Sequence, residues 1–128
     1  LLDHADHVSI HAPLTDETYH LFDREAFERM SDMAVLVNVG RGPIVDEKAL
    51  AWALDNGEIA AAGLDVLESE SPTESPLAER DDVIMTPHAA FYSEESVTDL
   101  NEHLGRDIQA VFDGERPEGL VEPEADRS

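Results

Sequence analysis

With 128 residues the chain has room for one domain, and it holds no cysteine, which excludes disulfides and thiolate metal sites. Thirty acidic residues stand against eight basic ones, a net charge of −22, so binding to nucleic acid or to an anionic membrane through this surface is excluded by repulsion. No segment reads as a signal peptide and no apolar run approaches the roughly 20 residues that cross a bilayer, so a cytoplasmic protein is expected.

Hydrophobic residues make up 41% of the chain and fall in regular patterns, which argues against a disordered acidic polymer. Two readings of the charge are left: a surface for cations or a basic protein, and a halophilic surface. The acids are spread over the entire chain rather than gathered in a block, which favours the second. At ~1 M salt the Debye length is ~3 Å, and the self-repulsion is largely screened.

The first element is a short strand over His7–His11, closed by Ala12-Pro13. The opening Leu1–Asp6 reads as the end of a helix already under way, so a truncated start is expected. After a polar loop, Asp23 reads as an N-cap with Phe22 and Phe27 as a hydrophobic staple, and its helix runs to about Met30. Ala34–Val39 is a continuous apolar run of the kind found in parallel strands buried on both faces. It ends in Gly40-Arg41-Gly42-Pro43. Asp46 caps a second helix, with Val45 and Leu50 as its staple and Gly57 at its C′ position. Ile59–Leu67 is a third strand, 68–82 a polar loop with two prolines, and Val83–Thr86 a fourth strand stopped by Pro87. Ser93 caps a long helix that ends near Asp113, with Val97, Leu100, Leu104, Ile108 and Val111 on one face and Gly114 as its stop. Residues 115–128 read as a loose acidic tail.

Strand and helix alternate, which predicts an α/β fold with a parallel sheet and right-handed crossovers. Ligands of such sheets sit beyond the carboxyl ends of the strands. Those ends bring His11-Ala12-Pro13, Gly40-Arg41-Gly42, Asp65 to Glu70 and Pro87-His88 to one edge. Arg41, between two glycines, offers a planar fork for a carboxylate, although a surface arginine among so many acids would equally find an ion pair. His88 suits proton transfer, and of the six histidines only it combines a strand end, a proline stop and small neighbours. His4, His20 and His103 have plain settings. Glu68 and Glu70 are solvated acids if read singly; a carboxylate beside an imidazole orients the ring and favours its protonated form. Asp65 closes an apolar run and is harder to dismiss. Together Arg41, Glu70 and His88 make a plausible set for reducing a 2-oxo acid: clamp, orienting acid and proton donor. No standard metal spacing is present.

These residues resemble the D-isomer-specific 2-hydroxyacid dehydrogenases. Val37-Asn38-Val39-Gly40-Arg41-Gly42-Pro43-Ile44-Val45-Asp46 is similar to that family's arginine signature. Gly63-Leu64-Asp65-Val66-Leu67-Glu68-Ser69-Glu70 is similar to its aspartate–glutamate segment, Thr86-Pro87-His88 to its histidine motif, and His11-Ala12-Pro13-Leu14-Thr15 to its cofactor-side turn. Order and spacing agree over about residues 1–114. Glu68-Ser69-Glu70 and His88-Ala89-Ala90-Phe91-Tyr92 lean toward the C-terminal-binding protein branch, some members of which are corepressors. Two departures stand out: Gly40 replaces a small residue bearing a Cβ, and the proline that usually follows the glutamate is displaced to Pro72.

The resemblance implies the second half of a doubly wound, Rossmann-type sheet. Residues 1–92 would be the C-terminal part of an NAD-binding domain, 93–114 a helix leading back toward a substrate domain, and 115–128 the tail. It implies NAD as cofactor, a 2-oxo or 2-hydroxy acid as substrate, and a homodimer. Carried over by position, Arg41 holds the substrate carboxylate, His88 is the acid/base and Glu70 its partner. Asp65 holds the nicotinamide amide, His11, Pro13, Val39, Gly40, His88 and Ala90 line the cofactor, and Phe91 lies near the substrate. The family's Gly-x-Gly-x-x-Gly fingerprint is absent from these 128 residues and would precede Leu1. The alternative is an NAD(H)-sensing, corepressor-like protein with little turnover.

Overall fold

A computed structural model describes residues 1–69 and 71–121. They divide into two compact units that meet in sequence at Ala90 and Phe91.

The first unit is a four-stranded parallel sheet in the order β1-β2-β3-β4, with β1 at His7–Ile10, β2 at Val35–Asn38, β3 at Ala61–Leu64 and β4 at Val83–Met85. Ser9 lies opposite Val37, Val37 opposite Gly63 and Gly63 opposite Ile84, so the strands are in step. Helix α1, Arg24–Glu28, joins β1 to β2, and α2, Glu47–Asn56, joins β2 to β3. Each crossover advances one strand in the same direction, and right-handed connections then put both helices on one face. Ile10, Leu36, Ala62 and Leu64 point to that face and are buried with Phe27, Leu50, Ala53 and Leu54. Val35, Val37, Ala61 and Gly63 alternate to the other face and are only half-buried. The apolar run of β2 is therefore enclosed on one side alone within this unit.

The helix ends follow the capping signals. Asp23 accepts from the Ala26 amide at 3.0 Å, and Phe22 and Phe27 meet with ring centroids 6.3 Å apart. Asp46 accepts from the Lys48 and Ala49 amides, and Gly57 has φ +69°. In that left-handed turn the Glu58 amide reaches back to the Ala53 carbonyl, which closes the helix. The Arg24 guanidinium stacks 3.7 Å above the Trp52 ring and ties α1 to α2 on the outside.

Three expectations need correction. The third strand ends at Leu64, not Leu67, because Val66 and Leu67 leave the sheet. The loop 68–82 contains a turn of 3₁₀-helix over Pro72–Glu74. In the second unit, whose helix α3 spans Glu94–Phe112, the chain after Gly114 is not loose as far as it is described. The Glu118 and Gly119 amides donate to the Asp107 carboxylate, and Pro117 and Leu120 join Ile108, Val111 and Phe112 around an apolar groove. Residues 122–128 lie outside the described residues.

Candidate active site

All four strands point the same way, so their C-terminal ends share one edge. At the end of β2 the Asn38 side chain is fully buried. Its Oδ1 accepts from the Gly40 amide and its Nδ2 donates to the Arg41 carbonyl, both at 3.0 Å. One side-chain amide thus shapes the turn that carries Arg41. Arg41 itself is exposed and donates from Nη1 to the Gly40 carbonyl at 2.8 Å. Among the described residues no carboxylate pairs with it. Arg24, Arg29 and Arg80 each hold an acid, so the ion-pair reading of a surface arginine is the one this residue escapes.

Gly42 is buried, and a Cβ there would overlap the Leu67 carbonyl and press on the Glu68 amide. The chain leaving β3 lies directly on the Arg41 turn, which is the physical reason Val66 and Leu67 depart from the sheet. Only glycine permits that approach.

Asp65 is buried at the end of β3. Its Oδ1 accepts from the Thr86 hydroxyl at 2.5 Å and the Ala89 amide at 2.8 Å, and its Oδ2 from the Ala90 amide at 2.9 Å. The Asp65 carbonyl accepts from the His88 amide at 3.0 Å. The whole turn 86–90 is thus wrapped on one residue. His88 sits in it with φ +53°, a conformation uncommon for a side chain with a Cβ and fixed here by those bonds. Burial pushes the Asp65 carboxyl up, but the hydrogen bonds from Thr86, Ala90 and Ala89, with His88 nearby, outweigh it and hold it below its ordinary 3.8. The unfolded chain takes up the proton first, so this contribution is fully present above the unfolded value and is lost as pH falls through the lower folded one. Asp65→Asn should cost about 1–3 kcal/mol at neutral pH and flatten the acid limb of stability below about pH 4, followed by circular dichroism in molar KCl. An unchanged acid limb would show that Asp65 is not held ionised.

Arg41, Asp65, Glu68, Pro72, Thr86 and His88 are among the residues that line one cleft of about 570 Å³. Three predicted residues, Arg41, Asp65 and His88, therefore come together. Glu70 lies outside the described residues. His11 caps the end of β1 with its Nε2 2.8 Å from Ser9 Oγ, and the Pro13 carbonyl accepts from the Thr18 hydroxyl. Val39 and Gly40 are half-buried beside them. Phe91 opens the second unit and is exposed there, its ring edge-on to Tyr92 at 6.0 Å.

Sequence reasoning passed over Asn38, Glu47 and His20. The buried Glu47 carboxylate accepts from the Glu68 amide and the Ser75 hydroxyl. His20, at φ +50°, stacks on Tyr19 and contacts the Glu68 carboxylate through Nε2. Asn38 ends a strand just before a glycine turn, a signal legible in the sequence. The other two act across more than 20 residues and leave no local trace.

Residues 1–90 match the family model of the NAD binding domain of D-isomer specific 2-hydroxyacid dehydrogenases. The chain belongs to that family. It is 46% identical over 125 residues to a glyoxylate reductase of Korarchaeum cryptofilum, covering 97% of this chain and 38% of that protein. It is 50% identical over 97 residues to a glyoxylate/hydroxypyruvate reductase B of Enterobacter sp., covering 75% of this chain and 30% of that one. The NAD-complexed crystal structure of a D-isomer specific 2-hydroxyacid dehydrogenase from Lactobacillus delbrueckii ssp. bulgaricus superposes with a TM-score of 0.85 at 37% identity, over 94% of this chain and 41% of that one. The chain thus spans well under half the length of these relatives.

The fold offers this family's nicotinamide cofactor the edge formed by the carboxyl ends of the strands. Two of those ends meet main chain to main chain: a Cβ on Gly40 would come within 3.0 Å of the Ala12 carbonyl. No glycine-rich turn for a pyrophosphate occurs within these residues. A nicotinamide cofactor supplies hydride when bound.

Proposed function

We propose that the full-length protein reduces a small 2-oxo acid to the D-2-hydroxy acid at the expense of NADH. The observation that carries this is Arg41: in a chain with 30 acids, the one arginine of the cleft pairs with none of the described ones and shares the cleft with His88. Arg41 receives the substrate carboxylate in two-point fashion and draws density from the adjacent carbonyl. His88 donates the proton to the carbonyl oxygen as carbon is reduced. Glu70 keeps His88 protonated and oriented in that direction, a role carried over from the family pattern. His11, Pro13, Val39, Gly40 and Ala90 line the cofactor, Asp65 stands by the nicotinamide amide, and Phe91 lies near the substrate. The relatives are reductases and dehydrogenases, which favours turnover over an NAD(H)-sensing, corepressor-like role. Residues 1–92 close the NAD-binding domain, 93–114 lead back toward the substrate domain and 115–128 form the acidic tail. The parent protein is a cytoplasmic homodimer with a salt-adapted surface.

The test is NADH oxidation by the full-length protein in molar KCl, with glyoxylate, hydroxypyruvate, pyruvate and phenylpyruvate. Arg41→Ala should raise KM for the preferred acid by about 10²-fold, as loss of a charge-assisted bidentate contact implies, and leave KM for NADH within about twofold. Unchanged constants would remove Arg41 from the site. NADH binding without turnover on any 2-oxo acid would favour the sensor.

A further inference from the structure

Glu47 stands outside the cleft, yet it holds both ends of the segment that walls it. It is the first residue of α2, where an acid complements the helix N-terminus, but that alone does not require burial, and Glu47 is only 5% exposed. Its Oε1 accepts from the Glu68 amide at 2.6 Å and its Oε2 from the Ser75 hydroxyl at 2.5 Å. In return the Glu47 amide donates to Glu68 Oε2 at 3.3 Å. The other Glu68 oxygen meets His20 Nε2, and the His20 amide donates to the Pro43 carbonyl at 2.8 Å. Segments 20–22, 43–47, 67–69 and 71–75 are thereby joined around one buried carboxylate.

Burying a carboxylate is costly, and among the described residues no cationic side chain pairs with this one. An apolar residue of similar size would fill the space without that cost. What it would not do is set direction. The contact of Leu67 with Gly42 is main chain on main chain, and it fixes a distance without fixing an orientation. We propose that Glu47 is a positioning residue: it orients the Leu67–Ser69 wall on the Arg41–Gly42 turn and so sets where the guanidinium meets the substrate. The proposal deepens the 2-oxo acid reading and rests on it.

Two measurements on the full-length protein in molar KCl test it. Hydrogen exchange over residues 66–77 should quicken about tenfold in Glu47→Ala, while peptides over β2 keep their protection. In steady state with glyoxylate, Glu47→Ala should raise KM and lower kcat, each about tenfold, with NADH affinity within about twofold. Glu47→Gln keeps an acceptor for the Glu68 amide and should recover most of the loss. Unchanged exchange over 66–77 overturns the clamp. Faster exchange with kcat and KM intact, or a lowered Tm alone, overturns the positioning role and leaves a structural residue. If Glu47→Ala fails to fold, Ser75→Ala removes one arm only: faster exchange over 71–77 with KM raised about threefold supports the proposal, and unchanged values overturn it. A wild-type protein without turnover on any 2-oxo acid overturns the functional reading and the positioning role with it, while the exchange measurement still decides the clamp.

Discussion

His88→Asn should lower kcat of the full-length protein by about 10²- to 10⁴-fold, the range of a lost general acid, and leave NADH affinity within about twofold. Asparagine is the better replacement than alanine. His88 has φ +53°, and asparagine tolerates that region, whereas alanine there would add a backbone cost of about 1–2 kcal/mol. The turn itself should survive, because its bonds run from the amides of His88, Ala89 and Ala90 and the hydroxyl of Thr86 to Asp65, not from the imidazole. The loss would therefore fall on proton transfer. A kcat within about threefold of wild type, with the cofactor still bound, would remove His88 from the chemistry.

Gly42→Ala should destabilise the protein by about 3 kcal/mol or more, at the upper end of what overpacking costs, with midpoints read by chemical denaturation in molar KCl. The obstacle is main chain on both sides: the new methyl would occupy the place of the Leu67 carbonyl, and a carbonyl cannot rotate away as a side chain can. Gly63→Ala in the same chain is the comparison. Its Cβ would meet nothing nearer than Val37 Cγ2 at 3.8 Å, so it should cost far less. Equal effects would mean that the close approach over Gly42 is not what holds the loop.

The elements were legible in the sequence where a local rule governs them. Asp23, Asp46 and Ser93 cap their helices, and Gly57 and Gly114 end theirs in the left-handed region. The parallel sheet followed from alternation, and with it the edge where Arg41, Asp65 and His88 gather. What stayed hidden was set by contacts distant in sequence. The third strand read as running to Leu67 because Val66 and Leu67 are apolar. Val66 is buried and the Leu67 side chain packs against the core, while it is the Leu67 main chain that meets Gly42, which no window of neighbours reveals. Asp65 read as a holder of something, and what it holds in this fold is the turn of His88. His20 read as plain because its partner Glu68 lies 48 residues away. The apolar stripe of α3 was found by period, but none of α3's residues is buried among the described ones, since period reports a face and not what covers it.

Several of the bonds that shape the cleft have main chain on one side: Asn38 on the amide of 40 and the carbonyl of 41, Asp65 on the amides of 89 and 90, Glu47 on the amide of 68; the Thr86–Asp65 and Ser75–Glu47 bonds join side chain to side chain. A peptide group is the same whatever residue carries it. Substitutions at 89 or 90 can therefore accumulate without dislodging Arg41 or His88, and the anchoring falls on Asn38, Glu47, Asp65 and Glu68 and on the bare backbone of Gly42. A protein built this way can exchange much of its outer surface for acids over evolutionary time and keep its chemistry in register. A randomised library would find its tolerance and its intolerance divided along the same line.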